Sequence, residues 1–239
     1  IEYYINLKPE SNLNKLIISG FFSETVTNDI GELHPWSSWP TVHRGVDSSL
    51  HKINFINQNL DHAKKYPPIW EVLLQSKISV GIFGSLQSYP PIESKYVKFY
   101  IPDTFAPKSD TLPKKFSKFQ DLNLSLTMRN KAYNRPLRIK DFFRFFVAFI
   151  SLKISVNVIY QLFMQLIKEL FSKRYKKRRA LLQPILGFDI YKKLLLKKNP
   201  SFSTFFTNHV AGIMHRYWRD TFQDELFSNN LSSKDQIFN

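Results

Sequence analysis

One short stretch limits the fold more than any other. Ile78-Ser79-Val80-Gly81-Ile82-Phe83 is an apolar run closed by Gly84, and it follows a helical pattern of Ile69, Val72 and Leu73 opened by Pro67–Pro68. Proline is well tolerated in the first turn of a helix. An apolar run too short for a full helix, without polar alternation, fits a parallel strand buried on both faces. Helix followed by buried strand is the pattern of an α/β sheet covered on both sides. Val97–Ile101 supplies a second strand between turn signals at Pro90–Pro91, Pro102–Asp103, Pro107 and Pro113, and Ser203–Asn208 a third with Phe205 and Phe206 inward. Ser11 or Asn12 caps a short helix through Leu13, Leu16 and Ile17 that Gly20 stops. Residues Phe21–Thr27 alternate loosely, as an edge strand would. Pro35–Thr41 reads as a rigid, Trp-rich loop leading into a helical turn near Gly45, and Val210–Phe222 as a helix.

From Asp141 to Phe171 the pattern is helical, with nearly every position apolar outside a narrow stripe that includes Arg144, Ser151, Ser155 and Lys168. A membrane span needs about 20 mostly apolar residues; Lys153, Asn157, Gln161 and Gln165 interrupt this one, so a span is rejected. A buried helix is favoured over one lying on an anionic membrane surface. The expected organisation is an α/β part over 1–137, a mostly helical, basic insertion over 138–200, and a return to the α/β core over 201–239.

The net charge is +15, and much of the excess sits in Lys173, Arg174, Lys176–Arg179, Lys192, Lys193, Lys197 and Lys198. No zinc finger, RNP-type motif or helix-turn-helix accompanies it, so nucleic acid is the minor reading of that charge. The absence of cysteine excludes disulfides, thiolate-bound metal and a cysteine nucleophile, and leaves His, Asp, Glu and hydroxyl oxygens as metal donors. No signal peptide is recognisable; the compartment is open, with the cytoplasm favoured. Both ends, at Ile1 and Asn239, read as cuts in a longer protein.

Two stretches could carry chemistry. In His34-Pro35-Trp36-Ser37-Ser38-Trp39-Pro40-Thr41, hydroxyls gather where a loop enters a helix, between two Trp residues. A hydroxyl at a helix N-terminus sits where free N–H groups favour an anion, the setting for a Ser or Thr nucleophile. An N-cap is the commoner duty of such a Ser, and spacing alone favours it. In Asn208-His209-Val210-Ala211-Gly212-Ile213-Met214-His215, two His follow a strand, where α/β proteins place ligands. Their spacing does not stack them on one helix face, and each also fits an ordinary hydrogen-bonded His. The remaining His (34, 43, 51 and 62) form no ligand spacing. Gly81–Gly84 is no phosphate loop, and Asp103 and Asp110 read as turn residues.

The order of these pieces resembles the type I phosphodiesterase/nucleotide pyrophosphatase branch of the alkaline phosphatase superfamily. Ser11–Gly20 is similar to that branch's PNLxxLxxxG helix, and Trp39–Gly45 with His51-Lys52-Ile53 to its WTSIxTGxxPxxHGI stretch. Pro68–Glu71, Val80–Gly84 and Tyr89-Pro90-Pro91 resemble its PxxWxxLxxxGxxVGVxxxPxTYPP segment, and His215 the His of DxxxH. The resemblance implies an alkaline phosphatase-like three-layer sheet core and a two-metal, usually zinc, hydrolase of phosphodiester or phosphomonoester substrates. Ser37, Ser38 and Thr41 become the candidate nucleophiles, Trp36, Trp39 and Asn208 the substrate contacts, and His215 and His209 the metal ligands. The family's nucleophile position falls on Pro35 and its Asp on Ala211, while its first Asp ligand and its DHG pair would lie outside Ile1–Asn239. The chain alone is therefore expected to bind zinc weakly and hydrolyse nothing detectable. The alternative is an inactive relative that binds glycan or lipid headgroups. The Ser37–Ser38 segment and Asn208–His215 are expected to converge at one edge of the sheet.

Overall fold

The computed structural model describes residues 1–27, 29, 33–56, 58–128, 152–172, 175, 178 and 181–221. The expected start of the long helix at Asp141, most of the basic run over 173–180 and the end of the chain lie outside them. The described chain is mixed α/β. Helices α1 (Glu2–Leu7), α2 (Asn12–Ser19), α3 (Pro35–Arg44), α4 (Ser48–His51) and α5 (Ile69–Gln75) precede strands β1 (Val80–Phe83) and β2 (Val97–Ile101). Helices α6 (Ser117–Met128), α7 (Val156–Phe171) and α8 (Leu182–Lys198) follow, then β3 (Phe202–Phe205) and α9 (His209–Thr221).

The three strands form one parallel sheet in the order β2-β1-β3, with Ile82 beside Tyr100 on one edge and Thr204 on the other. Every residue of β1 is buried, as its unbroken apolar run requires. Alternation along the strand splits the core in two. Val80, Ile82 and Tyr100 pack with Trp70 of α5, while Phe83, Phe99 and Ile101 pack with Phe119, Val158, Leu162, Leu186 and Ile190 from α6, α7 and α8. Helices thus cover both faces of the sheet. Gly81 is needed because the Phe99 ring lies over it: a Cβ there would come 2.4 Å from that ring. Gly84 turns the chain out of β1 at φ +75°, and a Cβ would meet the Phe206 carbonyl oxygen at 2.7 Å.

Four expectations change. Residues 21–27 form no strand; Phe21 is 94% exposed, because alternation alone does not supply a neighbouring ladder. The third strand ends at Phe205, and Phe205 and Phe206 are half-buried since β3 pairs only with β1 among the described residues. Pro35 begins α3 rather than a loop, its fixed φ suiting the first helical position, and Gly45 ends the helix in the left-handed region. The helical pattern ending at Phe171 is broken at Lys153 (φ 53°). Helix α7 restarts there because Asp189 of α8 accepts the Ser155 N–H at 2.9 Å and the Ser155 hydroxyl, capping the new N-terminus from outside its own helix. Ser11 caps α2 as expected, accepting the Asn14 N–H at 3.2 Å.

Candidate functional site

Because the strands are parallel, the segments leaving their C-terminal ends share one edge: Gly84–Ser88, Pro102–Phe105 and Phe206–His209. Open α/β sheets bind ligands along that edge. Helix α3 lies against it. The Trp39 ring meets Phe206 edge-on at 4.8 Å, and the His43 ring meets Trp70 edge-on at 4.9 Å. Burial, helped by the Arg44 charge, lowers the His43 pKa to about 4, so its ring is neutral at neutral pH.

On α3, Thr41 joins two residues that no sequence pattern connects. Its Oγ1 donates to Asp29 Oδ2 at 2.8 Å and lies 3.0 Å from His51 Nε2. His51 Nδ1 accepts the Ile53 N–H at 2.9 Å, so the neutral ring carries its proton on Nε2 and donates it to Thr41. Burial and the Arg44 charge lower the His51 pKa against the pull of Asp29 and Asp47. Burial would raise Asp29, but hydrogen bonds from the Ser48 N–H, Thr41 and Thr27 outweigh it and hold the carboxylate below its usual range. The result is an ionised carboxylate that accepts the Thr41 hydroxyl's hydrogen bond, with an imidazole N–H on the Thr41 oxygen.

Beside α3 a cavity of about 450 Å³ opens, lined by Trp36, Leu86, Gln87, Asp103, Phe105 and Lys64 among others. Asp103 is 4% exposed, and burial lifts its pKa to about 6 against backbone hydrogen bonds led by the Phe105 and Ser88 N–H groups. Behind it runs a chain of side-chain amides. Gln120 Nε2 donates to the Asp103 carbonyl at 2.8 Å, Asn123 Nδ2 to Gln120 Oε1 at 3.3 Å, and Gln183 Nε2 to Asn123 Oδ1 at 2.9 Å. His209 closes the chain, its Nε2 3.2 Å from Gln183 Oε1 and its Nδ1 2.8 Å from Thr207 Oγ1. The acceptor at Gln183 places the ring proton on Nε2 and leaves Nδ1 to accept from Thr207.

The residues singled out in the sequence are placed as follows. Ser37 and Ser38 occupy the first turn of α3, and both hydroxyls turn back to donate to the His34 carbonyl, at 3.0 and 2.7 Å. Trp36 lines the cavity, and Trp39 packs on Phe206. Asn208 is exposed and accepts the Gly212 N–H at 3.0 Å, starting α9. His209 is tied to Gln183 and Thr207, and His215 is exposed on α9. Sequence reasoning missed His51, Asp29 and the three amides, and read Asp103 as a turn residue. The one available signal was the His51-Lys52-Ile53 match in the resemblance, which marked the segment without marking a partner.

Among the described residues no group of three His, Asp or Glu side chains could hold a metal ion. Comparison of the chain with protein-family models, curated proteins and solved structures yields no match.

Proposed function

We propose that this chain is the α/β part of a hydrolase or transferase acting on anionic phosphodiester or phosphomonoester substrates, built like the alkaline phosphatase superfamily. The observation that carries the reading is the Thr41 hydroxyl held between the Asp29 carboxylate and the His51 N–H, on a helix lying against the ligand-binding edge of a parallel sheet. In the proposed reaction Thr41 Oγ1 attacks phosphorus, its proton passes to Asp29, and the ester oxygen leaves with the P–O bonding pair. Water then attacks the phosphothreonine and releases a proton to solvent, balancing the one the departed ester oxygen takes up there. The Thr41 oxygen departs with its bonding pair and recovers its proton from Asp29. The His51 N–H remains on the Thr41 oxygen and stabilises the charge it carries as leaving group.

One observation favours a second reading, a non-catalytic relative that binds an anionic headgroup or glycan: the Ser37 and Ser38 hydroxyls are both committed to the His34 carbonyl. Hydrolysis of p-nitrophenyl and bis-p-nitrophenyl phosphate by the product of the complete reading frame, with added Zn²⁺ or Mn²⁺, separates the two. The enzyme reading expects turnover that Thr41→Ala and Asp29→Asn both abolish; turnover equal in wild type and both variants would remove Thr41 from the chemistry.

A further inference from the structure

Helix α7 is built inside out. Its inward face carries Val158 and Leu162 together with Gln165 and Glu169, all buried. On the opposite face Val156 is 82% exposed, Phe163 57%, Leu170 86% and Phe171 85%, with Tyr160 and Ile159 between them. The surface side is thus the more apolar one, the reverse of a helix that faces water. No charged residue occurs from Val156 to Ile167.

Cations border this face. Lys168, one turn from the end of α7, and Arg178 flank the Tyr175 ring, at 5.9 and 5.2 Å from its centroid. Both line a groove of about 310 Å³ that also includes Tyr160 and Met164 of α7. Exposed Lys153 stands just before the other end of the helix. The sequence from Lys173 through Arg179 is strongly basic. A face of aliphatic and aromatic side chains with cations at its margins matches the boundary between acyl chains and anionic headgroups. A crossing course does not fit: α7 has 16 residues, about 24 Å, and its other face packs in the core. Among the described residues no helix is long and apolar enough to span a membrane.

We infer that α7 docks the protein on an anionic lipid surface, with Phe163, Leu170 and Phe171 among the acyl chains and Lys168 and Arg178 on lipid phosphates. The inference does not depend on the proposed reaction.

Vesicle flotation of the full-length protein tests it, with phosphatidylcholine alone and with phosphatidylserine added. The expected result is binding to the phosphatidylserine vesicles that weakens as salt rises. The Phe163→Ser/Leu170→Ser pair lowers the partition coefficient by roughly tenfold or more, with the melting temperature unchanged. The Lys168→Gln/Arg178→Gln pair removes the preference for phosphatidylserine and leaves the residual binding. Partitioning equal in wild type and the serine pair overturns the inference. So does a lowered melting temperature in the serine pair with unchanged partitioning, which assigns the face to packing within the chain. A wild-type dimer that the serine pair converts to monomer, with no vesicle binding by either, assigns it to a second copy and equally overturns it.

Discussion

Thr41 donates its hydroxyl proton to Asp29 Oδ2 across twelve residues, while Asp29 Oδ1 accepts the Ser48 N–H at 2.6 Å. One carboxylate thereby fixes α3 against the start of α4, and His51 at the end of α4 closes the loop by reaching back to Thr41. Thr41→Val keeps the shape and removes the hydroxyl that both neighbours use. It should cost about 1 kcal/mol or somewhat more in urea unfolding, with Thr41→Ser near wild type. Equal stability of the Val and Ser variants would mean the hydroxyl contributes nothing to the fold.

Gly81 should be the least replaceable residue of β1. A Cβ would press on the Phe99 ring, itself buried between β2 and the α8 layer. Gly81→Ala is expected to lower stability by roughly 1–3 kcal/mol through overpacking. Gly81→Ala combined with Phe99→Leu should recover part of that loss, and the double-mutant cycle measures the coupling.

Buried Asp103 and half-buried His43 give opposite pH dependences. Burial lifts Asp103 from an ordinary 3.8 to about 6 and lowers His43 from 6.5 to about 4. Between pH 6 and 4 the folded protein holds a proton on Asp103 that the unfolded chain releases, so acidification adds stability. Over nearly the same window the unfolded chain protonates His43 and the folded chain does not, so acidification removes stability. Each contribution is roughly 3 kcal/mol across the window, and the two nearly cancel. His43→Phe should therefore gain stability as pH falls from 6 to 4, and Asp103→Asn should lose it. Urea unfolding at several pH values reads both slopes; one common slope for the two variants and the wild type would refute the assignment.

What the sequence made legible follows from what each element needs. Strand β1 announced itself because burial on both faces demands an unbroken apolar run, and Ser11 because a cap acts within three residues. Residues 21–27 misled because a strand also needs a partner ladder, which alternation does not encode. The role of His51 was not legible because chain reversal at Gly45 brings it back to Thr41, a meeting that no spacing encodes. The amides Gln120, Asn123 and Gln183 carry no signature either: three polar residues from two helices become one chain only after α6 and α8 lie side by side.

The break before α7 makes another such case. Asp189, from α8, accepts the Ser155 N–H and hydroxyl and pairs with Lys193 at 2.7 Å. Asp189→Ala should cost roughly 1–2 kcal/mol, the range of a lost helix cap, and should speed amide exchange in the first turn of α7 more than in α8. Unchanged protection at residues 156–159 would show that the cap does not hold the helix start.

The central claim is that Thr41 is the group that attacks phosphorus. Acid quench of the complete gene product during turnover of a phosphate ester, followed by mass mapping of the peptide spanning residues 35–44, tests it most directly. The account predicts a covalent phosphate on Thr41, absent in Thr41→Ala and in Asp29→Asn. Phosphate on Ser37 or Ser38, or turnover with an unmodified peptide in all three proteins, would contradict it.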